Sequence, residues 1–380
     1  MYGAEELGVY VHVPFCARKC VYCDFYSVAN ESGKREYISS LLRELADARS
    51  AFPGCATTLY FGGGTPSRLG IEEFGEVINA VRSLYALDAG AEITVEVNPD
   101  DATPSFFTGL AALGVNRVSV GVQSVDESVL HFLGRRHTPE RGLQAIAWAH
   151  AAGIANVSGD VMYGIPGQSE KSVRETCKAL AEEGCAHVSA YHLIVEEGTP
   201  LGRRRAKGFF REVDEEVSVA HYQAVCETLR EEGFSHYEVS SYARAGFESK
   251  HNSLYWRGGR YVGVGPGAHS YDGARRWWNA RSVREYIART PLGDPPREVE
   301  ILDAQMRFEE WLLTGLRLAE GVDLQEGNRL FGVDKIRGVR QRAEGWAARG
   351  AVAISAARLR IREGGFMVLD AIVLDLVGAE

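Results

Sequence analysis

The chain contains no apolar run long enough to cross a bilayer. Its opening, MYGAEELGVYVHV, lacks the basic and apolar regions of a secretory leader, so the expected location is the cytoplasm. Positive charge is scarce too: 42 Lys and Arg against 51 Asp and Glu leave a net charge of −9. That balance excludes the electrostatic footprint of a nucleic-acid binder. The one dense basic patch, Arg203, Arg204, Arg205 and Lys207, reads as a solvated loop after the Gly198–Thr199–Pro200 turn. No low-complexity tract or solenoid-period repeat is present. With seven cysteines, an odd number, and no leader, a disulfide framework is disfavoured.

What is present is a cysteine loop. Cys16, Cys20 and Cys23 lie in YVHVPFCARKCVYCDFYS, with spacing Cys-x3-Cys-x2-Cys. Three thiolates suit three irons of a [4Fe–4S] cubane, which four cysteines would close. A fourth iron is then open to a ligand that is not protein. A zinc site wants a further Cys or His at ligand spacing, and His12 is expected to point away from the loop on an alternating strand. A c-type haem attachment needs His after the last cysteine, where this chain has Asp24. The other cysteines, Cys55, Cys177, Cys185 and Cys226, lack ligand spacing and read as small buried hydrophobes.

The first two thirds of the chain alternate between strand and helix signals. Short apolar runs occur at Gly8–Val13, Thr57–Phe61, Glu92–Val97, Arg117–Val122, Asn156–Met162 and His187–Leu193. Amphipathic stretches at Arg35–Arg49, Ile71–Tyr85 and Glu170–Glu183 separate some of them. Such repeats predict an α/β fold, a parallel sheet with crossover helices. Six repeats are too few for a closed eight-stranded barrel. After about Ser241 the alternation fades into a Gly- and aromatic-rich stretch ending near Asn279. Helical patterns follow at Ile301–Leu318, Asp323–Arg329 and Asp334–Ala348, then a hairpin-like end turning at Gly364–Gly365. The expected division is 1–241 and 242–380, the second part carrying a small winged-helix-like domain.

The cysteine spacing, with Tyr22 before the last cysteine, resembles the radical S-adenosylmethionine (SAM) superfamily. The resemblance implies an open six-stranded (β/α)6 partial barrel, with functional residues at the C-terminal strand ends. FGGGTPS, EVNPDD, GVQS and GDVMYGIPG each follow or end a run, as that architecture requires. Taken alone, Gly62, Gly63 and Gly64 serve an ordinary βα turn as well as a ligand cradle. The resemblance makes them, with Thr65, the turn that binds the SAM amino group. It implies further SAM contacts from Tyr10, Tyr22, Glu96, Gln123, Arg135 and Asp160. Strand-end carboxylates can accept from ribose hydroxyls or the ammonium, and Arg135 can pair with the SAM carboxylate.

Longer segments, YVHVPFC, FGGGTPS, VGVQSVDESVLHFLGRRH, DVMYGIPGQ and the stretch around HNSLYW, resemble the coproporphyrinogen-oxidase-like branch over nearly the whole chain. That branch holds the oxygen-independent coproporphyrinogen III dehydrogenase and a group of haem chaperones. The dehydrogenase carries a further cysteine two residues after the third ligand, where this chain has Phe25. It also has a long N-terminal extension, whereas fifteen residues precede Cys16 here. HNSLYW resembles the HNxxYW motif linked to haem in the chaperones. His251 is accordingly a candidate axial ligand, with Tyr255 and Trp256 as flat contacts; His269 in GPGAHSY competes for the ligand role. Ser240–Ser241–Tyr242–Ala243 departs from the branch's usual SNYA. The expected partners are haem, an acceptor haemoprotein such as one of the respiratory chain, and an electron donor for the cluster. Delivery would bring the protein to the membrane surface. The alternatives are the dehydrogenase itself and a radical SAM methyltransferase of the same branch.

Overall fold

The computed structural model describes residues 6–378. Six parallel strands follow the sequence pattern: β1 (Glu6–Val13), β2 (Cys55–Gly63), β3 (Glu92–Val97), β4 (Arg117–Gln123), β5 (Asn156–Tyr163) and β6 (His187–His192). They lie side by side in chain order, all parallel. Alternate residues on them are aliphatic and buried against the crossover helices: Val9, Val11 and Val13 on β1, Ile93, Val95 and Val97 on β3, Val118, Val120 and Val122 on β4. Each such side chain contributes about 1.5–3 kcal/mol on burial. The intervening positions are polar or aromatic and face the concave side: Tyr10 and His12, Thr58 and Tyr60, Glu92 and Glu96, Arg117 and Ser119, Ser158 and Asp160, His187 and Ser189. A wholly buried parallel strand reads as a continuous apolar run; this period-2 polarity marks an interior meant to stay polar.

The sheet continues beyond β6 and before β1. On one side come the short antiparallel strands β7 (Ser235–Glu238) and β8 (Ser241–Ala243). On the other, β9 (Arg260–Val264) runs parallel to β1, followed by antiparallel β10 (His269–Tyr271), β11 (Arg275–Asn279) and β12 (Arg297–Ile301). The twelve strands form one open sheet ordered β12-β11-β10-β9-β1-β2-β3-β4-β5-β6-β8-β7. The expected division between residues 241 and 242 falls within β8, and four later strands belong to the same sheet. Buried Glu44 ties that extension to the helix Lys34–Ala48. It accepts from the Tyr286 hydroxyl (2.6 Å), Asn279 Nδ2 (2.8 Å) and the Gly265 N–H (3.0 Å).

The C-terminal part packs helices Ala304–Gly315, Leu324–Phe331 and Val333–Ala348 with a three-stranded sheet, β13 (Val322–Asp323), β14 (Val352–Ile354) and β15 (Arg358–Ile361). Helix, strand, two helices and a hairpin in that order match the winged-helix-like expectation. The hairpin is not where it was expected. It turns between Ile354 and Arg358, while Gly364 and Gly365 lie in a 3-10 turn leading into the helix Leu369–Val377. Leu369, Ile372, Val373 and Leu376 are the buried residues there, a helical spacing that outweighs the apparent alternation. The basic patch is likewise helical. Thr199 caps the helix Pro200–Ala206, accepting from Gly202 N at 3.0 Å, and Arg203 and Arg204 project outward from it. Proline at the first helical position after a threonine cap starts that helix, where the sequence reading saw only a turn.

Candidate functional site: the barrel mouth and the cleft beside it

The cysteine loop leaves β1 at the C-terminal mouth of the sheet. Its root is fixed by Cys16 N–H to Val28 O (3.0 Å) and Val28 N–H to Pro14 O (2.7 Å); Leu201 N–H anchors Val21 O at 2.8 Å. Cys16 is buried, its Sγ 3.1 Å from the Thr65 hydroxyl, while Cys20 and Cys23 are partly exposed. Arg135 Nη1 donates to Cys20 Sγ at 3.5 Å and Nη2 to Gly121 O at 2.6 Å. A tetrahedral zinc at about 2.3 Å from each thiolate would bring the sulfurs within about 3.8 Å of one another. Among the described residues, the group of three potential ligands within 4.8 Å is Cys226, His236 and Glu363, not these three cysteines. A wider triangle of thiols beside a guanidinium fits a cluster of net negative charge better than a single ion.

Behind the loop, Gly63 and Gly64 are glycines for steric reasons. Gly63 has φ +107°, and a Cβ there would sit 2.6 Å from the His12 ring. At Gly64 a Cβ would lie 2.8 Å from Val13 O and 2.9 Å from Pro14 C, against the root of the cysteine loop. The turn is thus locked to the loop's own backbone. His12, expected to point away from the loop, packs beneath its end instead, with Nε2 3.0 Å from Tyr26 O.

The concave face holds two carboxylates. Glu96 accepts from the Tyr60 hydroxyl at 2.8 Å, and Asp160 from the Ser119 hydroxyl at 2.9 Å. Loss of water contact pushes Glu96 up to about 7, and the neighbouring Asp160 adds to the shift. The same loss of water raises Asp160 to about 6, against the pull of the Ser119 hydroxyl, Arg117 and Arg135. Gln123 ends β4 at φ +67°, one of two non-glycine residues with positive φ among those described, and its Oε1 is buried without a partner. A left-handed amide aimed into a polar interior is backbone strain of the kind that gathers at ligand sites. Tyr10 stacks near Tyr60 (ring centroids 6.1 Å apart), and Tyr22 packs on the apolar cluster of Val129, Leu133 and Met162 beside the loop. The structure therefore brings the nine residues expected at a SAM pocket, Tyr10, Tyr22, Gly63, Gly64, Thr65, Glu96, Gln123, Arg135 and Asp160, to the concave face or its mouth.

Sequence reasoning missed Arg117. It is 1% exposed, on the floor of the concave face, and its charge lowers both carboxylates. An arginine opening an apolar run reads as a flanking surface residue; the signal was its place in the period-2 polar pattern of β4.

The HNSLYW stretch forms the helix Lys250–Trp256, and Glu92 accepts from the Lys250 and His251 N–H groups at 3.0 Å each. His251 points back to the floor of the sheet. Its Nδ1 is 2.7 Å from the Thr58 hydroxyl and its Nε2 2.7 Å from the Tyr255 hydroxyl. Burial, reinforced by Arg117, drives it down to about 3, so the ring is neutral. With both nitrogens bonded and 1% exposure it presents no lone pair to a ligand. Tyr255 and Trp256, one turn on, face a different space: a cleft of about 1370 Å³ between the β9–β11 extension and the C-terminal helices. That cleft runs from Asp24, Phe25 and Tyr26 at the end of the cysteine loop to Trp311 and Phe331. Phe25 is 67% exposed at its rim. Of the remaining cysteines Cys177, Cys185 and Cys226 are buried as expected; Cys55 is exposed at the start of β2, a correction.

A parallel partial barrel carrying a three-cysteine loop at its mouth defines a radical SAM protein, and residues 10–180 match the radical SAM superfamily. The chain is 38% identical to the heme chaperone HemW of Mycobacterium tuberculosis, over 98% of its own length and 95% of that protein's. It is 33% identical to the heme chaperone HemW of Bacillus subtilis, over 86% and 87%. The chain belongs to the HemW family. Its fold is that of coproporphyrinogen III oxidase (HemN) from Escherichia coli, with a TM-score of 0.84 over 98% of this chain and 90% of that one, at 20% identity. The cofactors of the superfamily, a [4Fe–4S] cluster and SAM, are therefore this protein's too. Among the described residues no helix is long and apolar enough to cross a membrane.

Proposed function

We propose that the protein is a haem chaperone, binding haem and passing it to an acceptor haemoprotein. Cys16, Cys20 and Cys23 would hold the cluster, which would supply one-electron redox chemistry, leaving one iron open for SAM. Gly63, Gly64 and Thr65 would cradle the SAM amino acid; Glu96 and Asp160 would meet its cationic and hydroxyl groups. Arg135 would orient the SAM carboxylate and balance the charge on Cys20.

The observation that carries this reading is the cleft beside the cluster loop. It is larger than the roughly 300–1,000 Å³ of pockets for drug-sized ligands, and is walled by aromatic rings, arginines and the carboxylates that pair with some of them. A flat dianionic macrocycle needs those walls. Phe25, where the dehydrogenase pattern has a further cysteine, favours the chaperone over the decarboxylase. The acceptor, an electron donor and a visit to the membrane surface for delivery complete the reading. The test is to reconstitute the cluster anaerobically and measure haem binding and coproporphyrinogen III decarboxylation side by side. Haem uptake with a Soret band and no vinyl product supports the chaperone; multiple-turnover decarboxylation would establish the dehydrogenase instead.

A further inference from the structure

Three histidines stand on or beside the cleft, and their hydrogen bonds separate them. His251 has both ring nitrogens bonded. His12 has Nε2 on Tyr26 O and Nδ1 3.3 Å from the Tyr10 hydroxyl. His269 is exposed, lines the cleft, and makes no side-chain hydrogen bond among the described residues. Its ring lies nearly parallel to Trp278, centroids 5.6 Å apart and planes at 24°, which fixes the imidazole's orientation without using its nitrogens. Partial loss of water contact on the ring's cleft side, with Arg276 and Arg281 nearby, lowers its proton affinity and favours the neutral form that binds iron.

The arginines separate in the same way. Arg276 is paired with Glu310 and Glu300, Arg257 with Glu320, and Arg358 lies 4.0 Å from Glu320. Arg281 and Arg307 line the cleft without a carboxylate partner among the described residues; Arg307 reaches only the Asp303 carbonyl, at 3.3 Å. Arg281 acts electrostatically on His269, and Arg307 on Tyr271 two residues further along β10. One face of the β9–β11 extension thus presents Tyr261, paired in register with Tyr271, and His269, paired with Trp278. Tyr255 packs edge-on to Tyr261 at 4.5 Å. Across the gap the C-terminal part offers Trp311 and Phe331, 5.4 Å apart.

We propose that haem seats in this cleft with His269 as its axial ligand and Arg281 and Arg307 as the propionate partners. His251 is then a positioning residue, which holds the Tyr255 hydroxyl so that its ring faces the macrocycle. The assignment rests on the chaperone reading, and the experiment separates the two. Haem is titrated into the wild type, His269→Gly, His251→Ala and the Arg281→Ala/Arg307→Ala double variant, each anaerobically reconstituted. His269→Gly should show a displaced Soret band and bind at least about tenfold more weakly, equivalent to about 1.4 kcal/mol, and added imidazole should restore the wild-type band. His251→Ala should keep the wild-type band position. The double arginine variant should lose affinity for haem but not for haem dimethyl ester, whose carboxylates are blocked. A wild-type spectrum in His269→Gly overturns the axial assignment while leaving the chaperone intact. An equal loss for haem and its diester overturns the propionate role. No haem uptake by the wild type removes the chaperone reading and this site with it.

Discussion

The concave interior of the barrel and the cleft beside it arrange charge differently. In the interior, Glu96 and Asp160 face inward from β3 and β5, with Arg117 between them on β4 and each carboxylate held by a hydroxyl. Positive and negative groups there answer one another within a single sheet. In the cleft, arginines paired with carboxylates are interleaved with Arg281 and Arg307, which have no carboxylate partner among the described residues. The interior is compensated and suits a zwitterionic, cationic ligand; the cleft is lined by five arginines and six carboxylates, and only its Arg281 and Arg307 corner suits an anionic group. The two regions therefore offer ligands different side chains.

The comparison breaks most severely at Arg117. Arg117→Met removes the buried cation whose field lowers both carboxylates, with a loss of about 3 kcal/mol expected, the upper end for an ordinary point substitution. The loss should be larger at about pH 8, where both acids are ionised, than at about pH 6, where much of their charge is already neutralised. Thermal or urea unfolding at the two pH values measures it. Equal losses would show that Arg117 acts by packing alone.

The coupling of the glycine turn to the cysteine loop is the next place to press. Gly64→Val puts a side chain against Val13 O and Pro14 C, with overpacking of about 1–3 kcal/mol expected. Because those atoms root the loop, the variant should also incorporate less iron on reconstitution. Full iron content with normal stability would mean the turn can move away from the loop.

A smaller effect comes from the carboxylates themselves. Glu96 and Asp160 have folded-state values near 7 and 6, above the ordinary carboxylate range. Between about pH 4 and pH 7 the unfolded chain therefore holds fewer protons than the folded one, and stability falls as pH rises. In the cluster-free protein Glu96→Gln should flatten that decline, keeping the Tyr60 hydrogen bond while removing one titrating group. A decline as steep as the wild type's would assign it to other groups.

The interior was readable from sequence because its residues sit at fixed places relative to strand ends. Ile71–Tyr85 and Glu92–Val97 have the bounds the pattern predicts, the cysteine loop follows β1, and the glycines expected after β2 stand at its end, Gly62 and Gly63 closing the strand and Gly64 following it. The cleft was not readable. Its residues come from β1, the helix Lys250–Trp256, β9, β10, the loop after β11 and the C-terminal helices, brought together only when the sheet extension folds beside β1. His251 stood out because it sits in a motif, but a motif does not report which way a ring points or whether its nitrogens are already bonded. His269, the rival the sequence also offered, is the one of the two that makes no side-chain hydrogen bond among the described residues.

The separateness of the two regions is the central claim, and haem titration of the Cys16→Ala/Cys20→Ala/Cys23→Ala variant tests it most directly. That protein should show no iron–sulfur absorption after anaerobic reconstitution, yet bind haem with the wild type's Soret band and affinity. Loss of haem binding in a variant that keeps the wild-type fold by circular dichroism would contradict the account, placing haem on the cluster loop instead of in the cleft.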